Sequence, residues 1–350
     1  MNAISWAKVP QLYNLEGIMI KFNRLIKSIV VVSMSIFSFI GIANAENRQI
    51  TLQLPWFANS GFSGEIIAMQ NGYFSEKGLD VTILPGGPGS NTVQELVSGT
   101  ADIALGYGPQ VMYSVNRGLP IVSFGAALQK APLTWFSRKG AGIESVKDWA
   151  GKRIGAGQGA IPFIKGVLSH HGMTFEDVTW VQAGVPGLLQ DQVDAVAAWP
   201  INFAQMAPIR ALPDCCNSQA IFDNGLPLQS NFYMVRKETL EDDQEMLVAF
   251  FEAVQKGWAF ASDNPEKTIE ILIDYLPALK SDEQLNSLTA TTDGYMYSED
   301  TAKHGWGHIS SDRWQEVIDV YVSIGELKQG LTAEDMFSDV VLNAANRIKR

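Results

Sequence analysis

Short apolar runs of strand length recur along the chain, with segments between them whose apolar residues return every three or four positions. ITLQLPW (50–56), DVTIL (80–84), ADIALGY (101–107) and IVSFGAAL (121–128) predict strands. Helical spacing fills GEIIAMQNGYFSEKG (64–78) and residues 92–98 and 109–116. A second series follows: LTWFSRK (133–139), a helix over ESVKDWAG (144–151), KRIGAG (152–157), a helix over 161–170, VTWVQAG (178–184), a helix over 186–193 and AVAAW (195–199). Alternating strand and helix predicts an α/β fold with mostly parallel sheets, one for each series. NFYMVRK (231–237) reads as a strand returning to the first lobe, and residues 243–350 carry helical periodicity with no convincing strand. The expected division is lobe one over 46–130 plus 232–350 and lobe two over 131–231, with hinge crossings near 129–133 and 230–233 that open and shut a cleft.

The N-terminus changes where such a molecule works. Lys21, Arg24 and Lys27 precede an apolar run at 29–42 and then Ala43-Asn44-Ala45, the pattern of a signal peptide cleaved after Ala45. Residues 1–18 lack a basic region of their own, so Met19 is an alternative start. The run is too short to span a bilayer, which takes roughly 20 apolar residues. Residue 46 is Glu, not a cysteine that could accept lipid. The expectation is a monomeric protein of the periplasm. Cleavage removes Lys8, Lys21, Arg24 and Lys27 against Glu16 alone, moving the formal charge from −11 to −14, an acidic surface that opposes nucleic-acid binding.

Enzyme chemistry finds little support. There is no Gly-x-Ser-x-Gly, and neither Cys215 nor Cys216 has a histidine nearby in sequence. These two adjacent cysteines form either a vicinal disulfide, which an oxidising compartment permits, or a buried pair without function. His304 and His308 have a chelating spacing, weakened by Gly305 and Gly307, and no HExxH accompanies them. In Gly155-Ala156-Gly157-Gln158-Gly159 the third glycine comes one residue too early for a dinucleotide fingerprint. No cofactor and no metal is expected.

The ordered set of motifs resembles a known family. GYFSEKGLDV (72–81), Gly86-Gly87-Pro88, VQELVSGTADIALG (93–106), GLPI (118–121), the Ala126-Ala127-Leu128-Gln129 hinge and GIESVKDWAGKRIG (142–155) together are similar to the nitrate/sulfonate/taurine transporter binding proteins. Within that superfamily the resemblance is to the thiamine-pyrimidine-precursor and riboflavin-type members, and it covers residues 50–200. It implies a type II periplasmic-binding-protein fold, a ligand held between lobes and delivery to an ABC permease in the inner membrane. It does not fix the ligand. The chain departs from the family pattern at 56–60 and 199–202.

In open α/β sheets, ligands lie beyond the C-terminal ends of strands. The loops there offer Trp56, Phe57, Asn59, Phe62, Gly87, Ser90, Tyr107 and Gln110 from lobe one, with Glu65 to answer a ligand amine. Lobe two offers Gln158, Gln182, Trp199 and Asn202, and Asn231 stands at the returning strand. Aromatic faces suit a planar ring, and amides orient its polar edge. Gly86 to Ser90 reads either as an anion cradle or as a plain tight turn. The loops hold no Arg or Lys, which favours a small neutral or cationic heteroaromatic ligand. A sulfonate- or nitrate-type anion binder, or a sensor reporting to a membrane receptor, remain the alternatives.

Overall fold

Two five-stranded sheets follow one plan. The first runs β2 (Leu79–Leu84), β1 (Arg48–Gln53), β3 (Ile103–Gly106), β10 (Ser230–Arg236), β4 (Ile121–Leu128), and the second runs β7 (Thr179–Val181), β6 (Arg153–Gly155), β8 (Ala195–Ala198), β5 (Thr134–Arg138), β9 (Cys216–Ala220). The computed structural model describes Asn47–Arg350 except Pro213, so the signal-peptide reading lies outside the described residues. The protein is an α/β molecule of the type II periplasmic-binding-protein fold.

Parallel pairing is less dominant than expected. In each sheet the first two pairings are parallel and the last two antiparallel. The reason is the crossing: β10 arrives from the second lobe and runs against both β3 and β4. Burial follows the sequence pattern strand by strand. β4 is apolar almost throughout and every residue in it is buried, whereas the edge strand β2 alternates buried and exposed positions.

In the first lobe α1 (Ser63–Gln70), α2 (Thr92–Ser98) and α3 (Gly108–Asn116) follow their strands, and in the second α4 (Ile161–His170), α5 (Val185–Leu189) and α6 (Phe203–Arg210) do so. ESVKDWAG forms only a 3₁₀ turn, Val146–Trp149: Ser145 and Asp148 cap its start, but Ala150 leaves the helical region at ψ 123° and Gly151 takes φ +73°, so the helix ends after one turn. Its Trp149 is buried against Trp135, ring centroids 5.2 Å apart. β9 was not foreseen, since Cys-Asn-Ser-Gln-Ala has neither an apolar run nor an alternation. It forms at a sheet edge on β5 pairing alone.

The C-terminal part is helical and includes α7 (Gln244–Asp263), α8 (Ser281–Thr291) and α9 (Ser311–Ser323). α1 and α7 cross at glycines. A Cβ on Gly64 would lie 2.0 Å from the Trp258 ring, and one on Gly257 2.0 Å from the Gly64 carbonyl oxygen. Backbone cannot yield as a side chain can. Gly257→Ala is therefore expected to cost about 1–3 kcal/mol, read as a lower urea midpoint at unchanged slope.

The chain leaves the first sheet after Leu128 and enters the second at Thr134; it returns between Ala220 and Ser230. The return crossing thus lies upstream of the expected 230–233, which already belongs to β10 and its pairing with β4. The two segments are tied together: the Ala131 amide donates to the Leu228 carbonyl at 2.8 Å. Buried Gln229 donates to the Gln129 side chain (2.8 Å) and to the His308 carbonyl (2.6 Å), and accepts from the Ser310 amide (2.8 Å). Each polar atom of this pair has a partner, as burial requires.

Candidate functional site

At the end of β1 the chain bends at Pro55, and the exposed rings of Trp56 and Phe57 meet edge to face with centroids 5.4 Å apart. The glycine loop after β2 rides on this corner. The Gly86 amide donates to the Trp56 carbonyl at 2.9 Å, and a Cβ on Gly86 would lie 2.4 Å from the Leu54 carbonyl oxygen. Gly87 lies over the Phe57 ring, where a Cβ would come within 3.1 Å. Close backbone approach thus accounts for the first two glycines, and the Ser90 amide closes the loop onto the Gly87 carbonyl at 3.1 Å.

The aromatic ends of β3 and β8 meet across the gap. Tyr107 of the first lobe and Trp199 of the second place their ring centroids 5.4 Å apart at a 55° tilt. Burial raises the Tyr107 phenol above its ordinary pKa. Gln110, one turn along, accepts from the Tyr107 amide at 2.9 Å and so fixes that corner. Asn59 and Asn202 cap helices: their side chains accept from Gly61 N (2.7 Å) and Gln205 N (3.0 Å). Gln182 is exposed after β7.

Phe62 and Glu65 do not face the gap. Phe62, 5% exposed, is part of the first lobe's core. Glu65 is 1% exposed and accepts a short hydrogen bond from the Tyr233 phenol, while its Oε2 has no partner among the described residues. Burial, opposed by the hydrogen bond from Tyr233, pushes this carboxyl up to about 7. Helical periodicity turns position 65 toward the sheet, so it cannot answer a ligand amine. Asn231 is 5% exposed and holds φ at +53°, the left-handed region that Asn tolerates better than most residues.

A cavity of about 490 Å³ opens between α2 and α3 of one lobe and residues 158–162 of the other. Of the expected residues it takes Gln110 and Gln158, and it adds Asn91, Gln94, Tyr113 and Arg117. Gln110, Tyr113, Ser114 and Arg117 stand at i, i+3, i+4 and i+7, one polar face of α3. That spacing was the available signal. Attention to strand ends alone missed it.

The lobes also touch on both flanks. The Tyr321 phenol of α9 donates to the Pro162 carbonyl at 2.8 Å, and the Phe203 amide donates to Ser287 Oγ of α8 at 3.0 Å. Glu326 joins Lys165 of the second lobe (2.5 Å) to the Tyr113 phenol of the first (2.8 Å). Partial burial works against its charge, but hydrogen bonds from Lys165 and Tyr113 prevail and hold its carboxyl below the ordinary value. Glu326→Gln keeps an acceptor for Tyr113 and removes the ion pair. Because both partners are partly exposed, the expected loss is about 0.2–1 kcal/mol, or up to roughly fivefold in ligand affinity, shrinking as salt rises in a titration series.

Cys215 and Cys216 are joined as a vicinal disulfide. The His304 and His308 rings stack at 4.6 Å. Among the described residues no three His, Cys, Asp or Glu side chains are grouped to hold a metal ion, and no helix is long and apolar enough to cross a membrane.

Two sheets of matching order, joined by two crossings and meeting at their strand ends, define the class of periplasmic-binding-protein folds. Residues 59–268 match the model of the NMT1/THI5-like family, and the chain belongs to that family. The formylaminopyrimidine-binding protein of Halalkalibacterium halodurans is 26% identical over 304 residues, 83% of this chain and 90% of that protein. The 4-amino-5-hydroxymethyl-2-methylpyrimidine phosphate synthase of Legionella pneumophila is 22% identical, covering 79% of this chain and 90% of its own. Among solved structures, the periplasmic aliphatic sulphonate binding protein SsuA of Escherichia coli superposes with a TM-score of 0.64 at 12% identity, over 87% of this chain and 94% of that one.

Proposed function

We propose that this protein is the extracytoplasmic solute-binding component of an ABC importer, and that it captures a small heteroaromatic ligand, pyrimidine- or flavin-like, between its lobes. The observation that carries this reading is the Tyr107–Trp199 pair, two rings from opposite lobes at the strand ends where such sheets bind ligands. The exposed corner of Trp56 and Phe57 adds a second aromatic surface on the first lobe. A relative named for binding a formylaminopyrimidine, similar over most of both chains, supports a ring of that kind.

In this mechanism the ring settles first on the aromatics of the first lobe. Trp199 and its neighbours then stabilise the closed form, shifting an existing equilibrium. A closed pair of lobes presents a composite surface to a permease in the inner membrane, after export through the signal peptide to the periplasm. The protein acts as a monomer and changes no bond in its cargo, so the ligand is recovered from it intact by mass spectrometry.

The deciding experiment is a thermal-shift screen on protein unfolded and refolded to strip carried-over ligand. Pyrimidines, flavins, other heterocycles, amines, sulfonates and nitrate are compared. A ligand at a hundred times its Kd adds about 2.7 kcal/mol of stability. Stabilisation by sulfonate or nitrate alone would replace this reading with the anion-binding one.

A further inference from the structure

We infer that one buried face of α8, carrying Gln284 and Ser287, sets the closure of the lobes: it holds the Trp56–Ser60 corner of the first lobe and the Trp199–Phe203 corner of the second, with the Ser287 hydroxyl as the latch between them. This rests on the capture between lobes proposed above and names the positioning residues that regulate it.

Gln284 and Ser287 stand at i and i+3 on α8 and are 5% and 6% exposed. Gln284 Oε1 accepts from the Ser60 amide at 2.9 Å, in the loop that carries Trp56 and Phe57 out of β1. Ser287 Oγ accepts at 3.0 Å from the amide of Phe203, the first residue of α6. The second-lobe corner is itself tied into one piece. The Trp199 amide donates to the Gln205 side chain (3.0 Å), Arg210 donates to the Pro200 carbonyl (2.9 Å), and its guanidinium carbon lies 3.7 Å from the centroid of the Phe203 ring. Fixing Phe203 thus fixes Trp199. At its other end α8 runs into a π turn, Thr292–Met296, whose Tyr295 carbonyl accepts from the Gln129 amide of the first crossing at 2.6 Å. One helix therefore reaches the hinge and both aromatic corners.

The Ser60 contact lies within the first lobe and survives a hinge rotation. The Ser287 contact spans the lobes, so it breaks when they part and returns when they meet. Closure exchanges water on these two groups for a protein partner, worth about a three- to tenfold shift toward the closed form.

The test needs no ligand. In the chain unfolded and refolded to strip carried-over ligand, spin labels introduced as Lys267→Cys on the first lobe and Glu176→Cys on the second, both exposed positions, report the distribution of interlobe distances, with Cys215 and Cys216 left paired. Ser287→Ala is expected to lower the closed-to-open ratio by about three- to tenfold, and Ser287→Thr, which keeps the hydroxyl, to restore most of it. Phe203→Pro removes the donor from the other lobe, at a first helical position that favours proline and after Asn202, which is already extended at ψ 92°. Added to Ser287→Ala it lowers the ratio no further, because both variants delete the same bond. A ratio unchanged in Ser287→Ala overturns the inference, as do effects that add in the double variant. A fall in Ser287→Thr as large as in Ser287→Ala assigns the effect to packing and overturns it as well. The ring-binding role is decided separately, by the thermal-shift screen.

Discussion

Trp199→Ala is expected to weaken binding of the ring ligand by roughly five- to 150-fold, since stacking of a flat heterocycle on an aromatic side chain is worth about 1–3 kcal/mol. Its ring is half-buried against Tyr107 rather than enclosed in either core, so the unliganded protein should unfold at nearly the same temperature. Calorimetric titration of the folded variant reads the effect. An affinity equal to the wild type would remove Trp199 from the site and take away the observation on which the proposed function leans most. Trp56→Ala should weaken binding by more than about tenfold on the same reasoning, through the first lobe alone.

The second large effect is on stability, at Glu65. Its pKa is about 7 in the folded chain against 4.5 for the ordinary group. Between these values the folded protein keeps a proton that the unfolded chain has lost, so stability falls as pH rises through that window. The contribution is fully present below about 4.5 and gone above about 7. The difference corresponds to roughly 3 kcal/mol. Glu65→Gln cannot ionise, and urea denaturation from pH 4 to 8 should give a much flatter stability profile than the wild type. A variant whose profile parallels the wild type would show that some other group sets the slope.

Most of the architecture could be read from the chain because it rests on local rules. Apolar runs such as 121–128 mark covered strands, and Asn91, a capping residue, marks the start of α2. What escaped depended on partners far away in sequence. β9 exists only because β5 offers it an edge, and the return crossing is set by where β10 finds β4. At the candidate site, the strand-end rule located the aromatic residues Trp56, Tyr107 and Trp199. The same rule misplaced Glu65, whose position on the buried face of α1 is tied to Tyr233, well over a hundred residues later. It also passed over Arg117, which lies at the far end of α3 and reaches the cavity along a helix face.

β10 lies between β3 and β4, and it is made only after the whole of the second sheet. During synthesis the first lobe therefore keeps a vacant slot at the heart of its sheet while the second lobe, continuous from β5 to β9, already has every strand it needs. The portion that begins the described chain is the last to become self-sufficient. Such late long-range pairing slows maturation and leaves hydrophobic edges open for longer.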